Sequence, residues 1–104
     1  MVTINQPYTV GKWTTRVGSE KSFISEWNNF AEWTTRNQQG SGIGILLQNP
    51  ERPQQFISFG PWTNVDAINA WRDRSEFKAF VVKVKDLCEN FQPQSFVLVA
   101  NSEL

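Results

Sequence analysis

The chain has 104 residues, 39% of them hydrophobic with five Trp and eight Phe, which suffices for one folded core and not for two. Ten Lys and Arg balance ten Asp and Glu, and this neutral sum argues against a phosphate-neutralising nucleic-acid binder and a basic membrane-surface helix. Histidine is absent and cysteine occurs once, which excludes histidine acid–base catalysis, Ser–His and Cys–His nucleophiles, histidine-ligated haem, ordinary zinc sites and an internal disulfide.

In chain order, Tyr8 to Val17 alternates in part and is rich in Thr, Val and Trp, which predicts a strand. Gly18-Ser19 opens a helix, with Ser19 as the expected N-cap and Glu20 in the first turn, where negative charge suits the helix dipole. Ile24, Trp27 and Ala31 recur at helical spacing with Phe23 and Phe30 beside them, and Asn37 to Gly40 ends the helix near Arg36. Gly42 to Gln48 reads as a strand with Ile43, Ile45 and Leu47 on one face. The Pro-containing segment 49–53 turns the chain, and Gln55 to Trp62 completes a hairpin. Period two then puts Phe56, Ser58, Gly60 and Trp62 on one face and Ile57 and Phe59 on the other.

Asn64 can cap a short helix containing Val65, Ile68 and Trp71. A second helical run follows through Phe77, Phe80, Val81, Val84, Leu87 and Cys88. Phe96 to Ala100 is continuously apolar and is expected to be the last strand. The order β-α-β-β-α-β is that of an α+β, ferredoxin-like fold with an antiparallel sheet, occupying residues 1–104 as one domain with its core at about 8–100. Both sheet faces are apolar, and helices cover only one of them. A symmetric homodimer is therefore expected to supply the second cover. No signal peptide is evident in residues 1–10, and no apolar run approaches the ~18 residues of a membrane span. A cytoplasmic setting is expected, in keeping with the single cysteine.

The constellations that could carry chemistry are few. Gly40-Ser41-Gly42-Ile43-Gly44 resembles a phosphate loop, but it follows a helix and enters a strand, the reverse of a dinucleotide fingerprint. The carboxylates lack ligand spacing, so no metal site is expected. Cys88, on an apolar stripe, reads as a buried thiol. Arg72 and Arg74 flank Asp73, and the choice there is between surface charge with helix capping and a guanidinium that holds an anion at a pocket mouth. Phe56, Trp62, Trp71 and Trp27 form either core or an apolar pocket for a flat ligand, with Ser58 among its few polar contacts. An RNA-binding module shares the element order, and Phe56 to Phe59 faintly matches its third-strand aromatics. The basic residue and glycine that precede them there are missing, and net charge is zero.

The run from Trp62 to Lys78, with Trp62, Ala70-Trp71-Arg72, Glu76-Phe77 and the glycines Gly18, Gly42 and Gly44 outside it, resembles the antibiotic biosynthesis monooxygenase family over roughly residues 8–100. That resemblance implies a ferredoxin-like chain that pairs into a dimeric α+β barrel. It also implies cofactor-independent oxygenation of a phenolic, hydroquinone or polyketide-like substrate, with a haem-degrading branch beside it. Trp62 matches the pocket tryptophan of the polyketide branch, whose asparagine four residues earlier is Ser58 here and whose tyrosine six residues later is Ile68. Trp71 matches the tryptophan of the haem branch, whose axial histidine falls near Val81 and whose strand asparagine falls near Gly11. The resulting expectation gives Trp62 and Ser58 catalytic roles, and Phe56, Trp71, Trp27 and Arg72 substrate contacts. No cofactor, metal or haem is expected. The partners would be a second copy of the chain, a small aromatic ligand and O₂, and neither nucleic acid nor membrane. The alternative is a barrel of the same shape that binds a small molecule without turnover.

Overall fold

Nine residues of alternating character, Pro7–Thr15, form β1, the strand on which the other elements are arranged. The computed structural model describes residues 3–103; residues 1, 2 and 104, to which the expected domain bounds and N-terminal reading extend, lie outside the described residues. After β1 come α1 (Glu20–Asn37), β2 (Ile45–Gln48), β3 (Gln55–Pro61), α2 (Val65–Arg72), α3 (Ser75–Leu87) and β4 (Cys88–Val97). The sheet has the order β2-β3-β1-β4 and is antiparallel throughout, as the ferredoxin-like reading requires. Its second helical passage is two helices. Arg74 adopts an extended conformation (φ −68°, ψ 143°) and breaks the helix between Asp73 and Ser75.

Cross-strand register sets the two faces. Trp13 lies opposite Phe56 on β3 and Phe91 on β4, and all three point toward the helices. There Trp13 stacks on Phe91 (3.9 Å between ring centroids), tilts against Phe23 (5.0 Å) and meets the edge of Phe80 (6.0 Å). Val84 of α3 and Cys88 complete the buried core. Such aromatic pairs contribute about 0.5–1.5 kcal/mol each beyond their area burial. The opposite face carries Tyr8, Val10, Ile45, Leu47, Ile57, Phe59 and Phe96. No helix covers it, and Leu47 and Phe96 are each more than half exposed.

Three local readings are corrected, those for the face of α1 and the bounds of β2 and β4. The buried stripe of α1 runs through Phe23, Trp27, Phe30 and Thr34, while Ile24 is 38% exposed, so the helix is turned by one residue from the expected face. Ser19 is the N-cap as expected, with its carbonyl accepting from the Phe23 N–H at 2.9 Å and its side chain making no cap bond. β2 begins at Ile45, because residues 42–44 leave the ladder, with Ser41 alone bridging to Trp62. β4 runs over Cys88–Val97, not Phe96–Ala100, so Cys88 starts a strand where a helix stripe was expected. As an edge strand it tolerates Pro93 and polar residues on both faces. Asn64 caps α2 as expected, its side chain accepting from the Ala67 N–H at 2.8 Å.

Burial at the α3–β4 junction leaves Cys88 only 5% exposed and pushes its thiol up from 9.0 to about 11, against a smaller opposing pull from Arg16. A thiol harder to ionise when folded contributes stability that is intact below the unfolded value and is lost as pH rises through the folded one. Denaturation of wild type and Cys88→Ala across this range is expected to show wild type losing stability relative to the variant from about pH 9 to about 11.

Candidate functional site

Between the sheet and the helices lies a cavity of about 100 Å³. Its floor includes the glycines Gly11 on β1, Gly60 on β3 and Gly44. Its walls are Trp27, Phe30 and Thr34 from α1, Trp71 and Arg72 from α2, and Phe77, Phe80 and Val81 from α3, with Trp62 and Ser58 from the β3 segment. It continues into a groove of about 490 Å³ bounded by Arg72, Phe77, Val81, Phe91, Pro93, Gln94 and Ser95. Five residues border both spaces, so the chamber and the groove share one mouth.

The two central tryptophans are held from several sides. The Trp62 N–H of the backbone donates to the Pro7 carbonyl at 2.9 Å, and its ring lies 4.9 Å from that of Trp71. Trp71 also packs against Phe30 (5.7 Å) and the edge of Phe77 (4.7 Å). Each buried indole N–H finds a hydroxyl. Trp62 Nε1 donates to Thr9 Oγ1 at 3.1 Å, Trp71 Nε1 to Thr34 Oγ1 at 3.0 Å, and Trp13 Nε1 to Ser58 Oγ at 3.0 Å. An indole can only donate, so a hydroxyl acceptor is the economical way to bury it.

Among the described residues Arg72 is the one ionisable side chain on the cavity wall, and it sits at the mouth. Its Nη2 donates to Ser95 Oγ at 3.3 Å, and among the described residues no carboxylate pairs with it. Arg74 points elsewhere, lying over the Trp33 ring at 5.0 Å and pairing with Glu76 at 3.4 Å. Of the expected site residues, Ser58, Trp62, Trp71, Trp27 and Arg72 converge on the cavity. Phe56 does not; it lies in the core, 4.9 Å from Phe23. Among the described residues no three His, Cys, Asp or Glu side chains converge, and no helix is long and apolar enough to cross a membrane.

Sequence reasoning missed Thr9, Gly11, Trp13 and Thr34. Thr34 had a readable signal, as a hydroxyl in line with the apolar stripe Phe23, Trp27 and Phe30. Gly11 had none, because its role depends on β3. A Cβ there would lie 2.7 Å from Trp13 Nε1 and 2.9 Å from Ser58 Oγ, so the indole–hydroxyl bond fills the space a side chain would need. Gly11→Ala is expected to force that bond apart and to cost about 1–3 kcal/mol in a denaturation experiment, as overpacking does. Gly18→Ala, where no heavy atom lies within 4 Å, pays only for its positive φ of 87° and serves as the control.

The family model for antibiotic biosynthesis monooxygenases matches residues 8–83. No curated protein sequence matches. Among solved structures, SnoaB from Streptomyces nogalater, a cofactor-independent oxygenase, superposes with a TM-score of 0.86 at 18% identity, covering 94% of this chain and 97% of its own. PA3566 from Pseudomonas aeruginosa does so at 0.79 with 15% identity, covering 96% and 99%. SO0527 from Shewanella oneidensis gives 0.79 at 13% identity, covering 92% and 93%. These likenesses are at the level of fold. With the family match spanning well over half of the sequence, the chain belongs to the antibiotic biosynthesis monooxygenase family.

Proposed function

We propose that this chain is a cofactor-independent monooxygenase acting on a small phenolic or hydroquinone-type aromatic. The observation that carries the reading is the chamber itself, a pocket walled by Trp27, Phe30, Trp62, Trp71 and Phe77 whose polar groups are hydroxyls and one guanidinium. Likeness to SnoaB, a cofactor-independent oxygenase, supports it. Size restricts the substrate. An apolar cavity of ~150 Å³ accommodates benzene, so a chamber of about 100 Å³ accepts one ring only if the molecule continues through the mouth. The groove beyond provides the remaining room.

The chemistry then rests on the substrate. A phenolate with a free ring carbon passes one electron to O₂, giving a ring radical and superoxide. These combine at that carbon as a peroxide anion, which takes up a proton to become the hydroperoxide and then loses water. Phenol and O₂ thus yield quinone and water, with one oxygen atom in each product and no outside electron source. The protein contributes a dry cavity, an orienting wall at Trp62 and hydrogen bonding from Ser58 to the developing oxyanion. No carboxylate lines the cavity, so the phenol proton leaves to solvent at the mouth, where Arg72 favours the anion. Because the sheet leaves Ile45, Leu47, Ile57 and Phe96 open, the reading includes two chains paired through that face.

Oxygen uptake with a panel of hydroquinones and anthrones tests the activity. One O₂ consumed per quinone formed is expected, with Arg72→Gln raising the pH needed for turnover. Ligand binding without oxygen uptake by any member would make the chain a binding barrel instead. Sedimentation at micromolar concentration is expected to give a dimer, and Ile57→Lys to shift it to monomer.

A further inference from the structure

Of the five hydroxyl residues that line the cavity, three accept from an indole: Thr9 from Trp62, Thr34 from Trp71 and Ser58 from Trp13. A hydroxyl has one proton and two lone pairs, so an indole bond occupies a lone pair and leaves the proton to be placed. The other two hydroxyl residues of the lining, Thr35 and Ser41, and the buried Thr15 give that proton to the backbone. Thr15 donates to the Gln54 carbonyl, Thr35 to the Ala31 carbonyl and Ser41 to the Gln38 carbonyl. Among the described residues Thr9, Thr34 and Ser58 do not donate to any protein acceptor. Their free protons belong to the cavity.

We infer that Thr9, Thr34 and Ser58 are a set of substrate-binding hydrogen-bond donors, oriented by Trp62, Trp71 and Trp13, which selects planar ligands with acceptor oxygens on more than one edge. The inference rests on the cavity being the substrate site and adds which ligands enter it. The indoles are positioning residues. Each fixes its hydroxyl oxygen and, by donating to it, makes the remaining O–H a stronger donor. Thr9 and Ser58 stand on one face of the sheet and Thr34 on α1, so the donors come from the sheet and from the helix layer. Arg72 extends the same preference, as a cation at the mouth without a carboxylate beside it. Each hydroxyl keeps one lone pair that could accept, but no ionised acceptor lines the cavity among the described residues, so a ligand offering acceptor oxygens gains more here than one offering only donors. Quinone carbonyls and phenolate oxygens fit, and hydrocarbons of equal shape fit without reward.

The test is equilibrium dialysis with naphthoquinone and with naphthalene on wild type, Thr9→Val, Thr34→Val, Ser58→Ala and the conservative Thr34→Ser. Wild type is expected to prefer the quinone. Each hydroxyl deletion is expected to weaken the quinone about three- to ten-fold, the worth of one hydrogen bond, with naphthalene affinity unmoved. Thr34→Ser is expected to retain quinone affinity, which a packing role for the Thr34 methyl would not allow. Naphthalene binding also reports that each variant keeps its cavity, and the three positions give separate readings if one variant fails to fold. Equal loss of both ligands in the deletions, or equal affinity for both ligands in every protein, overturns the donor set and leaves the cavity reading standing. Failure of wild type to bind either ligand overturns both.

Discussion

The indole N–H of Trp13 meets the Ser58 hydroxyl across the backbone of Gly11, and the rest of the site depends on this bond. It ties β1 to β3 by side chains as well as by the ladder, and it holds the Trp13 ring flat against Phe91 on the far strand. One aromatic therefore spans the three central and edge strands on the helix side. Its other contacts, Phe23 from α1 and Phe80 from α3, set where those helices rest. The core lies on one side of this ring and the cavity on the other. A chain this short can keep an unfilled chamber because the adjoining aromatic layer is packed without gaps in its polar accounting. Among the described residues no buried side-chain nitrogen or oxygen lacks a partner.

The same economy explains the electrostatic character of the site. Charge is kept at the surface, and the ion pairs found are the exposed pairs Arg74–Glu76 and Lys83–Glu26, which contribute little. Around the cavity, hydroxyls satisfy the indoles, and among the described residues no carboxylate lines it. On the proposed reading, a pocket without its own acid or base suits a substrate that gives up its proton unaided.

Much of the architecture was legible in the sequence, because strand and helix periods differ and large apolar residues mark them. Trp62, Trp71, Trp27, Ser58 and Arg72 could be gathered from spacing and family resemblance, and the fold brings them together. The errors have physical causes. β4 was misplaced because an edge strand has no face that must be apolar, so Glu89, Asn90, Gln92 and Gln94 read as loop and the apolar run after them as strand. The α1 face was misjudged because Ile24 and Phe23 are adjacent apolar residues, and only tertiary contact decides which is buried. Phe56 and Trp62 share a strand face, yet one lies in the core and the other beside the cavity, because helices cover the two ends of β3 differently. Thr9 and Gly11 matter through partners some fifty residues away, a distance that periodicity does not register.

The junction of α3 and β4 has a mechanical consequence. Leu87 ends the helix and Cys88 begins the strand, with no loop between them, and the Arg16 N–H and guanidinium fasten this corner to the Leu87 and Asp86 carbonyls. These two elements are the groove's walls, through Phe77 and Val81 on one and Phe91 and Pro93 on the other. Walls joined this way cannot swing apart as a lid does. Passage between groove and chamber is left to rotation of side chains such as Phe77 and Arg72, motions far faster than the microsecond-to-millisecond opening of a gated site. For a ligand bound as proposed, residence time would then be set by how tightly it is held, and not by how often a door opens.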